Sequence, residues 1–191
     1  MRRLWYYYIY LLVVWGGFRF WGRLPEVVEE LWFKPLLWLV PLFWWNLALK
    51  EQLVMFGRKW GSSIGWGVGV GVFYYLLIRG WSLQGDWGSN VLLIAAAIAV
   101  TEEITFSGFV AGYLERRRRG WVGNFLIVGL MVAIIRLPVW LAVYKLGLSE
   151  VTGAWFLAGA SGAINAWIRV KTGNVTGSIL ARMGMNLAVL G

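Results

Sequence analysis

An all-α, polytopic transmembrane helix bundle of about seven spans is the fold this sequence predicts, and three observations predict it. Of the 191 residues 60% are hydrophobic and only 14% charged, with a mean hydropathy of +0.66. The apolar residues fall in long runs rather than amphipathic repeats, which excludes an ordinary soluble domain. No alternating ten-residue pattern suggests a barrel, so helices are the form in which the backbone satisfies itself without water. A bilayer core roughly 30 Å thick needs about 20 apolar residues per helix, and such stretches follow one another along the chain.

The first span is expected at Leu4–Trp21, behind Arg2 and Arg3. Bulky aromatics and the lack of a small-x-small site mark it as an uncleaved anchor rather than a signal peptide. An acidic linker with Glu26, Glu29 and Glu30 leads to a second span at Pro35–Leu49, which Pro41 is expected to kink. Lys50, Arg58 and Lys59 precede a third at Ser62–Ile78, where Gly65, Gly67, Gly69 and Gly71 predict close backbone packing. A loop over Gly80–Ser89 is followed by spans at Val91–Leu114, Val122–Val143, Val151–Ile168 and Val175–Leu190. Three spans thus fall within residues 1–90 and four within residues 91–191.

The 15 tryptophans and 8 tyrosines crowd toward span ends, as in Trp5-Tyr6-Tyr7-Tyr8, Trp44-Trp45 and Trp81, and are read as interface anchors. The net charge of +9 is topological, since no basic soluble surface exists to hold nucleic acid. An N-terminus in the cytoplasm places eleven of the 18 Lys and Arg on that side. Arg19, Arg23, Lys34, Arg79 and Lys145 fall on the other, and Arg136 and Arg182 stay inside spans. The bias predicts a multi-pass cell-membrane protein with its C-terminus outside. Arg116 to Arg119 read as a cytoplasmic stop signal, with anionic lipid binding as the alternative.

The chain has no cysteine and no histidine. Thiol chemistry, Ser-His pairs and imidazole ligands are therefore excluded, no metal or cofactor is expected, and chemistry falls to carboxylates, Arg, Lys, Tyr and amides. Seven of the nine acidic residues can be assigned to loops or span ends; Glu102 and Glu103 cannot. An ionised carboxylate in mid-span costs at least about 2.5 kcal/mol and needs a partner or a wet cavity. Arg136 precedes Pro138 in the fifth span, Asn165 lies in the sixth, and Arg182 with Asn186 project together from the seventh. Helical geometry aligns Glu102, Phe106, Phe109 and Tyr113, with Glu103 about 100° away. One carboxylate can then face a cavity while the other meets a neighbouring helix. Two carboxylates and two guanidiniums would close a neutral cluster, which on physics alone serves packing as well as chemistry.

Thr101-Glu102-Glu103-Ile104-Thr105-Phe106-Ser107-Gly108-Phe109 resembles the first motif of the CAAX prenyl protease and bacteriocin-processing (CPBP, Abi-type) family of intramembrane endopeptidases, a Glu-Glu pair followed by Phe-Arg-Gly. Gly159 to Gly162, the turn Lys171-Thr172-Gly173 and the closing Arg182 to Asn186 follow in the family's order. By this resemblance Glu102 is the general base, with Glu103 beside it, and Asn186 is an oxyanion donor. Arg136 and Arg182 stand at the two family histidines, and Ser107 at the usual Arg. A guanidinium cannot shuttle a proton, though it can stabilise an oxyanion, so Arg182 could keep that role. The resemblance thus implies an intramembrane endopeptidase of weak or lost activity toward a hydrophobic or prenylated peptide or protein in the lipid membrane.

Two other functions stay open: a non-catalytic scaffold that binds a peptide or partner, as in bacteriocin self-immunity or protein export, and a proton- or ion-coupled carrier, which no inverted repeat supports. A wet, cytoplasm-facing cavity with Glu102 unpaired would favour hydrolysis. A closed Glu–Arg cluster would favour the scaffold, and a path through both leaflets the carrier.

Overall fold

The computed structural model describes residues 2–22, 24–48, 55–57, 59–80, 88–117 and 120–191. Arg23, Lys50, Glu51, Arg58, Trp81, Asp86, Arg118, Arg119 and most of the expected 80–89 loop lie outside the described residues. Seven helical rods follow in order. They are α1 (Arg2–Trp21), α2 (Glu26–Val28, Glu29–Phe33 and Lys34–Ala48), α3 (Trp60–Ile78), α4 (Ser89–Glu103, Ile104–Ala111 and Gly112–Arg117), α5 (Trp121–Pro138 and Val139–Val143), α6 (Leu148–Thr172) and α7 (Thr176–Leu190). The middle part of α2 and of α4 and the last part of α5 are wide, π-type turns. The described residues contain no β-strand beyond an isolated bridge from Phe56 to Asn174.

Each rod overlaps an apolar run expected to be helical, but α2 begins at Glu26, within the stretch expected as an acidic linker. Three are long and apolar enough to cross a membrane: Trp60–Ile78, Ser89–Arg117 and Val122–Val143. Among the described residues the other four do not combine the needed length and hydropathy. The 15 residues of α7 extend only ~22 Å at the helical rise, and α6 carries Glu150, Arg169 and Lys171. Large apolar side chains such as Val13, Phe20, Val72, Leu126, Leu130 and Val189 face outward, as lipid contact requires.

Glycine sets the two tightest helix contacts. A Cβ on Gly67 would lie 2.4 Å from the Gly177 carbonyl oxygen, and one on Gly184 2.3 Å from that of Gly71, so α3 and α7 meet backbone to backbone. Of the four glycines read as a packing face, Gly65 and Gly69 instead face open space. Gly129 and Gly159 form a second such contact between α5 and α6. The Lys171-Thr172-Gly173 turn ends α6 with Gly173 at φ 66°, a left-handed cap that a glycine adopts without steric cost. Gly57 then donates to Gly173 and Val175 to Met55, tying the segment before α3 to the start of α7.

The aromatic run at the N-terminus divides in a way the interface reading did not foresee. Trp5 and Tyr6 are exposed, whereas Tyr7 and Tyr8 are buried. The Tyr7 hydroxyl donates to the Trp38 carbonyl at 2.7 Å and that of Tyr8 to the Met131 carbonyl at 2.8 Å. These two rings are core residues that clamp α1 onto α2 and α5, because helical spacing turns them inward and each hydroxyl finds a backbone acceptor. Trp44 is exposed, as an anchor would be, and the side chain of Trp45 lies outside the described residues.

Candidate functional site

The site forms where α4 widens. Glu102 and Glu103 are the last residues of the regular turn, and the wide turns of Ile104–Ala111 follow at once. Such turns shift side-chain register within a helix and recur at functional sites. The same holds nearby: the wide turn of α2 carries Glu29 and Glu30 and ends at Lys34, and that of α5 begins just after Arg136 and Pro138. All three adjoin one ionic cluster.

Glu102 lies on the α4 face that meets α1 and α2. Phe106 packs on Trp38 with ring centroids 5.8 Å apart, and Phe109 on Tyr7 at 5.4 Å, so the stripe read from the sequence is a real packing face. Lys34 donates to Glu102 Oε1 at 3.0 Å. Arg136 Nη2 donates to Glu102 Oε2, from which Arg182 Nε stands 3.6 Å away. Three permanent or near-permanent cations therefore surround this carboxylate.

Glu103 points the other way, toward α6 and α7. Its Oε1 accepts from Arg182 Nε at 2.8 Å and from Asn165 Nδ2 at 2.8 Å, and its Oε2 accepts from the Ser107 hydroxyl. Arg182 also donates from Nη1 to the Ser161 hydroxyl at 3.1 Å and is 0% exposed. The Ser107 hydroxyl bonds back one turn along α4. Satisfying nearly every donor and acceptor is what makes this burial of charge tolerable.

The cluster is larger than two carboxylates and two guanidiniums. Lys34 also holds Glu30 at 2.9 Å, and Arg19 holds Glu30 at 3.1 Å and Glu29 as well. Glu29, Glu30 and Lys34 are buried, whereas the sequence reading placed the two glutamates in a linker and Lys34 in a loop. Four cations and four carboxylates now form one connected, neutral set. The signal available in the sequence was the spacing of Glu30 and Lys34, four residues apart on a run otherwise apolar. Ser161 and Asn165, one turn apart on α6, were legible only as polar residues in an apolar helix.

A cavity of about 150 Å³ opens beside Glu102, lined also by Lys34, Arg136 and Asn186 and walled by Trp15, Trp38, Ile135 and Trp140. A second, of about 210 Å³, shares Arg19, Glu30 and Tyr144 with it and continues toward Gly22 and Leu24. The lining thus runs to the end of the bundle where α1 and α5 finish, away from Arg2, Arg3, Arg116 and Arg117. Among the expected site residues, Glu102, Arg136 and Asn186 line the cavity, while Glu103 and Arg182 stand behind it. The Arg136 side chain is 22% exposed, and its Nε has no protein acceptor. Asn186 donates from Nδ2 to the Ala95 carbonyl at 3.1 Å, which leaves the second amide hydrogen for a ligand.

The arrangement presents a carboxylate, an ammonium, a guanidinium and an amide to a narrow, mainly apolar space. That set can take a proton from water, hold a carbonyl oxygen and accept an apolar chain. A family model described as Rce1-like, type II CAAX prenyl endopeptidase, matches residues 84–188, which covers more than half of the chain and runs from the start of α4 almost to the end of α7. No curated protein and no solved structure matches the chain significantly.

Proposed function

Because the chain belongs to the type II CAAX prenyl endopeptidase Rce1-like family, we propose that it is a restrained intramembrane endopeptidase, in which Glu102 activates water against a hydrophobic or prenylated peptide held in the cavity. The family and the three apolar helices point to an integral membrane protein. The observation that carries the reading is the placement of Glu102, which lines the cavity together with Arg136 and Asn186. Arg136, with a free Nε, and Asn186 are the oxyanion donors of this reading, since Arg182 is committed to Glu103 and Ser161.

Restraint comes from the same geometry. A carboxylate flanked by Lys34, Arg136 and Arg182 has both oxygens already engaged by cations, so a water must compete with them for it. Arg at the two histidine positions adds positive charge and removes two proton carriers. The purified protein is expected to cut a hydrophobic or prenylated peptide slowly, and Glu102→Gln to abolish the cut.

The buried hydrogen-bonded set of Glu103, Arg182, Asn165 and Ser161 favours a second reading, a scaffold that binds such a peptide without cutting it. Peptide binding with no Glu102-dependent product would select the scaffold. In either case we place the cytoplasm at the end bearing Arg2, Arg3, Lys59, Arg116, Arg117 and Lys171, with seven helices crossing and the C-terminus outside. The cavity then opens to the outer side, opposite to the cytoplasmic opening that the sequence reading tied to hydrolysis.

A further inference from the structure

Lys34 is a buried titratable group to which the chemistry above gives no part in proton transfer. It begins the regular α-helical part of α2, well upstream of residues 84–188, and its side chain is 5% exposed. Its Nζ lies 3.0 Å from Glu102 Oε1 and 2.9 Å from Glu30 Oε2. The rings of Trp15 and Trp38 flank it at 5.6 and 5.4 Å. The charged groups facing it are therefore Glu30 and, less closely, Glu29 on its own helix, and Glu102 on α4. Arg19 stands behind Glu30, and Arg136 and Arg182 approach the other oxygen of Glu102. Lys34 lines the same cavity as Glu102 and Asn186.

Amide hydrolysis needs a proton delivered to the leaving nitrogen as well as one removed from water. The chain has no histidine, and a guanidinium keeps its protons at any working pH. An ammonium does exchange its proton, and buried lysines serve as acid–base groups for that reason. We propose that Lys34 is the proton-transfer partner of Glu102, so that the acid–base pair of this site joins α2 to α4. The proposal rests on the hydrolytic reading above.

The step balances with one water. Glu102 takes a proton from water as the water oxygen bonds to the substrate carbonyl carbon. The C–N bond then breaks as the Lys34 ammonium passes a proton to the departing amine. The proton on Glu102 crosses the 3.0 Å contact to Lys34 Nζ, and both groups return to their starting state. Glu30 holds the ammonium from the other side while Glu102 is neutral.

The test uses the purified full chain with a fluorogenic hydrophobic peptide, reading turnover, its pH profile and the melting temperature in detergent. Lys34→Arg keeps the charge but cannot release a proton. The double change Lys34→Met with Glu30→Gln removes the ammonium while the cluster stays neutral, and decides the matter if Lys34→Arg does not fold. Both variants are expected to melt with the unmodified protein yet cut about 100-fold more slowly or worse, with a changed pH profile. Cleavage that Glu102→Gln abolishes but both Lys34 variants retain, with an unchanged pH profile, would overturn the role of Lys34 alone. No cleavage by the unmodified protein, or cleavage that Glu102→Gln leaves intact, removes the hydrolytic reading and this proposal with it.

Discussion

Glu102 and Glu103 are neighbours in sequence with opposite surroundings. Glu103 is enclosed by Arg182, Asn165 and Ser107, all with matched hydrogen bonds, whereas Glu102 meets three cations and still lines a cavity. One residue step turns the side chain by about 100° around the helix, and that suffices to send one carboxylate into the seam of α6 and α7 and the other toward α1, α2 and α5. Identical chemistry is thus divided between an enclosed pair and one that lines a cavity. A buried ion pair without access is a packing device, and the same pair beside a cavity is available to a substrate.

The largest effect should follow from opening the enclosed pair. Glu103→Gln leaves the Arg182 guanidinium buried without a counter-charge and should destabilise the fold by about 3–5 kcal/mol, read as a large fall in melting temperature or failure to purify as a monodisperse species. Glu102→Gln should cost less, about 3 kcal/mol, because the partly exposed Arg136 can turn to cavity water. Equal melting temperatures for the two variants would erase the distinction drawn between them.

A smaller effect should come from the helix seam that brings Arg182 to Glu103. Gly184→Ala puts a Cβ against the backbone of Gly71 and should cost about 1–3 kcal/mol. Gly69→Ala, on the same α3 but facing open space, should be neutral or slightly stabilising through helix propensity. Similar losses at both positions would show that the α3–α7 contact does not set the register. The two ends of the bundle are separated by labelling: with an impermeant thiol reagent on intact cells, Tyr144→Cys near the cavity mouth should react and Arg116→Cys should be protected. The reverse pattern would invert the orientation.

The positions of the helices were legible because lipid-facing and core residues are both apolar, so each rod appears as a hydrophobic run whatever its neighbours. Glu102, Glu103, Arg136 and Arg182 were legible as charges that such a run does not tolerate unpaired. Which partner each would take was not legible, because the wide turns at Ile104–Ala111 and Val139–Val143 break the regular spacing on which facing arguments rest. Arg19, Glu29, Glu30 and Lys34 escaped notice for another reason. They sit near the ends of apolar runs, where charge is ordinarily solvated, and only the fold shows that α1 brings Arg19, and α2 the other three, inward into the cluster that reaches Glu102 through Lys34. Tyr7 and Tyr8 were misread in the same way, since an aromatic near a span end looks alike whether it anchors to head groups or bonds to a backbone carbonyl.

The central claim is that Glu102 is the working carboxylate and that the guanidinium of Arg136 restrains it. The most direct measurement is Glu102-dependent cleavage of a hydrophobic or prenylated peptide by Arg136→His. This change reaches the cavity-facing partner of Glu102 and leaves the Glu103–Arg182 pair intact. It removes a fixed charge and supplies an imidazole, so turnover should rise by about 100-fold, and adding Glu102→Gln should return it to background. Turnover equal to or below that of the unmodified protein, in a variant that melts normally, would contradict the claim.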